Sequence, residues 1–270
     1  MKGLFIVLIY LVLLWLVAIR GRKDHAAWAT LRRFRYAHRG LHDAAKGVPE
    51  NSLKAFRLAA EQGFGAELDI HLTKDGRLAV IHDDSLLRTA GADVKASDLT
   101  AEELSVYRLE GTDEPIPFLE DVLPIFEGVA PLIVELKVEK NAARLAKAAC
   151  DLLDQYRTDY CIESFHPQAV RWLKKNRPDV CRGQLSQNFL KEKGTGSGKA
   201  VDFLMTHLLT GFLTVPDFIA YNHEHRNRLS LRVARFLWGV QEVSWTIRSR
   251  EDMERCEKDG SLSIFEHFIP

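Results

Sequence analysis

Two imidazoles and three carboxylates, His38, Glu67, Asp69, His82 and Glu135, stand at or near the ends of short apolar runs in this chain. The runs read Arg35-Tyr-Ala-His-Arg-Gly40, Gly65-Ala-Glu-Leu-Asp-Ile70, Leu78-Ala-Val-Ile-His-Asp83 and Pro131-Leu-Ile-Val-Glu-Leu-Lys137. Buried apolar strands seldom end in His, Asp or Glu unless those side chains are paired or bind something. A parallel α/β architecture accounts for several such ends at once, because it gathers the C-terminal ends of its strands at one mouth. Three carboxylates converging there repel one another unless a cation neutralises them. Two histidines beside that cation form an acid/base pair, since imidazole titrates nearest to neutral pH. The chemistry implied is a metal-assisted hydrolysis or elimination.

Glu67 and Asp69 lie two apart on one strand and so share a face, while Glu135 comes from a later strand. An all-oxygen ligand set suits a hard divalent cation, Mg²⁺ or Ca²⁺, in preference to zinc. The competing reading pairs these carboxylates with Arg39 and Lys137 in a structural ion network. Glu50, just ahead of a helical stretch, either orients Arg39, stands behind the metal ligands, or merely caps the helix.

Apolar strands alternating with amphipathic helical stretches predict a TIM-type (β/α)8 barrel, which needs about 250 residues; the chain has 270. A helix is expected from Ser52, with Leu53, Phe56, Leu58 and Ala59 at helical spacing and Gly63 closing it. Between the strand at 65–72 and the run at 78–82 lies only Thr73-Lys-Asp-Gly76, too short to join parallel strands. The second run therefore returns as the arm of a hairpin and brings His82 opposite Glu67 to within about one residue. Residues 84–120 form a polar insertion, with Thr100-Ala-Glu-Glu103 as a capping box, serving either as a cap on the pocket or as a connector. Further strands are expected near 131–137, 159–165, 180–185, 217–222, 242–247 and 263–268, which makes eight without the hairpin arm. Gly194-Thr-Gly-Ser-Gly-Lys199 is not a phosphate loop, because Lys193 and Ala200 stand where Gly and Ser/Thr are required; it reads as a surface loop.

Lysine plus arginine equals aspartate plus glutamate at 37 each, so bulk charge does not suggest a nucleic-acid partner. Cys150, Cys161, Cys181 and Cys256 have no zinc or Cys-x-x-Cys spacing and read as free core thiols, a mild indication of a reducing compartment. Leu4 to Ile19 is an unbroken apolar run, which as a helix spans roughly 24 Å against a hydrocarbon core of about 30 Å. Its lack of a polar face disfavours a core helix. Arg20, Arg22 and Lys23 behind it disfavour a cleaved signal. The expectation is a single-pass anchor in the cell membrane over residues 1–20, a basic juxtamembrane linker over 21–34 and a barrel over 35–270. Lysine and arginine bias places the barrel on the cytoplasmic side.

His38-Arg39-Gly40, Pro49-Glu50-Asn51-Ser52, Glu67-Leu68-Asp69, Thr73-Lys74-Asp75-Gly76, His82-Asp83 and Glu135-Leu136-Lys137 together resemble the glycerophosphodiester phosphodiesterases. The match in order and spacing runs through residues 36 to 137. Ser164-Phe165 and Trp245-Thr246-Ile247 look like strand ends of that family. Arg248 stands where the family often has Asn, and Ser263-Ile-Phe-Glu-His-Phe-Ile-Pro270 replaces its usual closing strand ending in Thr-Asp. The departure falls on the last wall of the pocket and leaves the catalytic core intact.

The resemblance implies hydrolysis of glycerophosphodiesters to an alcohol and glycerol 3-phosphate. His38 and His82 would be the proton-transfer pair, Glu67, Asp69 and Glu135 the metal ligands, and Arg39 and Lys137 the groups holding phosphate oxygens. Phe165 and Trp245 would line the alcohol side or simply pack the core. Two alternatives keep the site but change its use: a lysophospholipase D-like activity on membrane lysolipids, and a non-catalytic headgroup-binding barrel. The intact histidines and carboxylates weigh against the latter.

Overall fold

A computed structural model describes residues 2–270. Among the described residues there are nine strands: β1 (Tyr36–His38), β2 (Gly65–Leu72), β3 (Leu78–Val80), β4 (Leu132–Leu136), β5 (Tyr160–Ser164), β6 (Arg182–Ser186), β7 (Phe218–Asn222), β8 (Gln241–Ile247) and β9 (Leu262–Phe265). All except β3 pair in parallel, and β1 hydrogen-bonds to both β2 and β9, so eight strands close into a barrel. β3 is the hairpin arm, antiparallel to β2 with Ile70 across from Val80. Continuing that register sets His82 across from Leu68, one residue from the expected position.

The β/α connections follow their sequence signals. Ser52 caps the helix Leu53–Glu61 by accepting from the Ala55 N–H, and Gly63 leaves it in the left-handed region. The insertion carries its own small core of Leu86, Ala96, Leu104, Leu109 and Ile116 against Ala79 and Ile81 of the hairpin arm. Its helix Ala101–Leu104 has the expected capping box at Thr100 and Glu103. The four cysteines are free and buried.

The N-terminal expectation is overturned. Among the described residues no helix is long and apolar enough to cross a membrane. The apolar run forms a helix of 17 residues, Lys2–Ala18, about 25 Å at 1.5 Å per residue. It stops there because the barrel claims the residues that would extend it. Ile19 is buried with Leu208, Ile219, Tyr221 and Val240, Trp15 packs against the same cluster, and Trp238 Nε1 donates to the Leu16 carbonyl at 3.1 Å. The basic stretch behind it is also packed on the barrel. Arg22 pairs with buried Asp217 and donates to the Pro178 carbonyl, while Trp28 and Leu31 close the barrel floor against Tyr36 and Phe218. Both the single-pass placement and the sidedness argument built on these basic residues fall with it.

Candidate active site

The site lies where β1, β2 and β4 end, beside the loop that follows the hairpin arm. Arg39 and Gly40, just after β1, both take positive φ, at 54° and 77°. Gly40 is needed here, since a Cβ at this position would come within 2.8 Å of the Ala55 carbonyl carbon. The turn points the Arg39 N–H at Glu67 Oε2 (3.2 Å) and brings the Arg39 guanidinium to Asp69 Oδ2 (3.3 Å) and to both Glu50 oxygens (3.1 Å). Asn51, also left-handed at φ 55°, donates its backbone N–H to the Arg39 carbonyl and its side-chain amide to Asp69 Oδ2, each at 2.9 Å.

Glu67, Asp69 and Glu135 are buried, and each contributes an oxygen to a group whose atoms all lie within 4.8 Å of one another. Parallel register brings them together: Asp69 sits across from Glu135, and Glu67 is two residues earlier on the same face. Lys137 Nζ lies 3.0 Å from Asp69 Oδ1 and 2.9 Å from Glu135 Oε1. The pairing with Arg39 and Lys137 that the sequence left as an alternative is thus present as well. Positive charge still falls short. Burial, reinforced by Asp69 and Glu135, pushes the Glu67 carboxyl well above its usual range, and burial pushes Glu135 up to about 7. Asp69 is held well below its usual value, against the effect of burial, by Lys137, His82 and Arg39. Asp69 Oδ1 is buried and has the Lys137 ammonium as its partner. A buried, all-oxygen donor set of three carboxylates with surplus negative charge fits a hard divalent cation.

The two histidines flank this cluster in matched settings. His38 Nδ1 is hydrogen-bonded to Glu266, whose other oxygen is held by Arg248 Nε at 2.7 Å. His82 Nδ1 is 2.8 Å from Asp83 Oδ1, and Asp83 Oδ2 is held by Arg88 Nε at 2.5 Å. His38 Nε2 lies 3.9 Å from Glu67 Oε2. Burial lowers the His38 pKa and takes His82 down to about 4, which favours the neutral ring over the charged one in each. A neutral ring whose Nδ1 donates to a carboxylate presents a lone pair at Nε2. Arg88 also reaches Glu50, at 2.6 and 3.1 Å, so the insertion braces the mouth of the barrel. Against burial, Arg88 and Arg39 hold the Glu50 carboxyl below its usual range.

A cavity of about 620 Å³ opens beside His82, Glu135 and Lys137. Its far side is apolar, formed by Phe165, Phe189, Val201, Leu204 and Met205. Trp245 packs edge-on behind Phe165 at 5.6 Å between ring centres. The loop at 193–197 borders the same cavity, with Thr195 bound to Asp202 at 2.7 Å.

Sequence reasoning missed four participants. Asp83 and Asn51 fell inside motifs but received no role, Arg88 lay in the insertion, and Glu266 lay in the divergent closing segment. Glu266 carried a usable signal, a carboxylate ending an apolar strand. Glu163 was also passed over. It is buried on β5 across from Glu135, and burial raises its pKa well above the carboxylate range.

The glycerophosphoryl diester phosphodiesterase family matches residues 38–269, from the histidine that ends β1 to the last segment of the barrel. The chain belongs to that family. It is 29% identical over 238 residues to a glycerophosphodiester phosphodiesterase of Caldanaerobacter subterraneus subsp. tengcongensis, covering 83% of this chain and 89% of the relative. It is 33% identical over 142 residues to a lysophospholipase D of Rattus norvegicus, covering 48% of this chain and 44% of that one. A solved phosphodiesterase of Oleispira antarctica, in complex with the product sn-glycerol-3-phosphate, shares the fold at a TM-score of 0.69 and 21% identity, over 86% of this chain and 91% of that chain.

Proposed function

We infer that this enzyme hydrolyses glycerophosphodiesters to an alcohol and glycerol 3-phosphate. The observation that carries the reading is the pair of imidazoles, each pinned at Nδ1 by a carboxylate, beside one buried three-carboxylate cluster. Glu67, Asp69 and Glu135 would hold a divalent cation, Mg²⁺ or Ca²⁺, which when bound supplies Lewis-acid polarisation of the reacting oxygens. Arg39 and Lys137 hold the phosphate oxygens, Arg39 through its planar fork and Lys137 as a point charge. One imidazole takes the proton of the substrate's 2-hydroxyl at Nε2 as that oxygen attacks phosphorus. The other, protonated on both ring nitrogens when the substrate is bound, gives its Nε2 proton to the departing alcohol. Water then opens the cyclic glycerol phosphate with the two roles reversed.

The test is release of glycerol 3-phosphate from a panel of glycerophosphodiesters, with excess EDTA and then Mg²⁺ or Ca²⁺ added back. Chelation abolishes turnover and the cation restores it; full activity in EDTA rules the cation assignment out.

A second reading, a lysophospholipase D-like activity, is favoured by the apolar wall of Phe165, Phe189, Val201, Leu204 and Met205 in the same cavity as His82 and Lys137. An acyl chain buries well against such a wall, whereas a choline or ethanolamine group leaves most of it uncovered. Comparing lysophosphatidylcholine micelles with soluble glycerophosphocholine at equal phosphodiester concentration separates the two. Preference for the soluble diester removes the second reading.

A further inference from the structure

Arg248 and the closing segment of the chain meet at His38 through one carboxylate, that of Glu266. β9 pairs with β1 so that Tyr36 faces Ile264 and Ala37 faces Phe265. One step further along the same register sets Glu266 beside His38. Glu266 is 7% exposed, and its backbone N–H donates to the Ile247 carbonyl at 3.0 Å. Its carboxylate is divided between two partners. Oε2 receives His38 Nδ1, with His42 Nε2 at 3.6 Å, and Oε1 receives Arg248 Nε at 2.7 Å and Nη2 at 2.6 Å. His267 approaches Oε1 from outside at 3.5 Å.

We propose that Glu266 is the positioning residue for His38, fixing the Nδ1–H tautomer, and that Arg248 locks the carboxylate in the orientation this requires. A carboxylate flanked by an arginine and three imidazoles is a pure acceptor, so the proton between it and His38 belongs to Nδ1. That leaves Nε2, on the Glu67 side, as the atom that exchanges protons. The requirement is strict, because the two imidazoles trade roles between ring formation and ring opening and each must both take and give a proton. Arg248 supplies the second half of the device. It donates only, so any side chain at 266 must turn an acceptor towards it. The carboxylate meets both demands with its two oxygens. This proposal rests on the phosphodiesterase reading of the site.

Arg248 makes the proposal testable beyond simple loss of function. In Glu266→Gln, Arg248 claims the amide oxygen and turns the NH₂ towards His38 Nδ1. The ring then carries its proton on Nε2, where no base remains. The expected result is a fall in kcat of about 10²–10⁴-fold with KM changed by less than about threefold. Adding Arg248→Met to Glu266→Gln frees the amide to flip, and kcat recovers at least about tenfold over the single variant. Glu266→Asp, which keeps an acceptor, retains more activity than Glu266→Gln. A role in packing alone predicts neither recovery on removing Arg248 nor a change confined to kcat.

The tautomer is read independently of turnover from two-bond ¹H–¹⁵N spectra of histidine-labelled protein, with His38 assigned through His38→Gln. Wild type shows His38 protonated at Nδ1 and Glu266→Gln shows it at Nε2. An Nε2–H tautomer in wild type, or one unchanged by Glu266→Gln, overturns the proposal even if the chain proves inactive on every phosphodiester tried. Conversely, the expected tautomers in a protein that releases no glycerol 3-phosphate would leave the positioning intact and remove only the activity.

Discussion

His38 and His82 are matched in local construction but reach it by different routes. The partner of His82 is its chain neighbour Asp83, whereas the partner of His38 lies 228 residues away. Removing either imbalances the same proton relay. His38→Ala and His82→Ala are each expected to lower kcat by about 10²–10⁴-fold. The second substitution made on top of the first should cost far less, because the two act as a unit. Both variants should still bind substrate, which isothermal titration with a slowly cleaved diester measures. A 2-deoxy substrate analogue should bind without turning over; its rapid cleavage would refute attack by the 2-hydroxyl. At this scale most of the site was legible. Glu67, Asp69, Glu135, Arg39 and Lys137 meet as their spacing suggested, because strand alternation and parallel register carry side-chain direction from sequence into space. Glu266 showed itself only as a carboxylate ending an apolar strand, since nothing local to residues 262–270 announces a neighbour at residue 38.

The hairpin, the insertion and the floor segment set how firmly those residues are held. β2 and β3 form the predicted hairpin because four residues permit only an antiparallel return, and that return delivers His82. The insertion braces the mouth through Arg88 and lends Asp84 to the lining of the cavity. At the opposite end Trp28, 5% exposed, stands edge-on to Phe218 at 5.7 Å and fills the barrel floor. Trp28→Ala removes that plug and should destabilise the fold by about 3–5 kcal/mol. The check is urea unfolding alongside kcat measured well below the transition. A large loss of stability with unchanged kcat is expected, and an unchanged midpoint would show the floor segment to be dispensable. Sequence periodicity could not reveal this segment, because a short helix behind a basic run reads locally as a linker.

Across the whole molecule the four thiols report on integrity. Cys150, Cys161, Cys181 and Cys256 are each at most 2% exposed. Burial pushes the Cys150 thiol up to about 11 and raises the other three as well. Thiolate is the reactive form, so native protein at pH 8 should resist a disulfide reagent such as DTNB, and unfolding in guanidinium should release all four thiols. Fast labelling of any thiol in native protein would contradict this packing.

The sequence alone determined the barrel, its eight parallel strands, the hairpin arm and the acid cluster, because each follows from local rules: alternation along a strand, a turn too short to cross over, a cap ahead of a helix. Tertiary structure decided what depends on distant segments meeting. Hydropathy read the N-terminal run as a span, yet Ile19 is worth more buried against Ile219 and Tyr221 than as another turn of exposed helix, so the helix ends at Ala18. Closure of β9 onto β1 brought Glu266 and Arg248 to His38. That contact joins the last strand of the barrel to the first, and no window of sequence contains both.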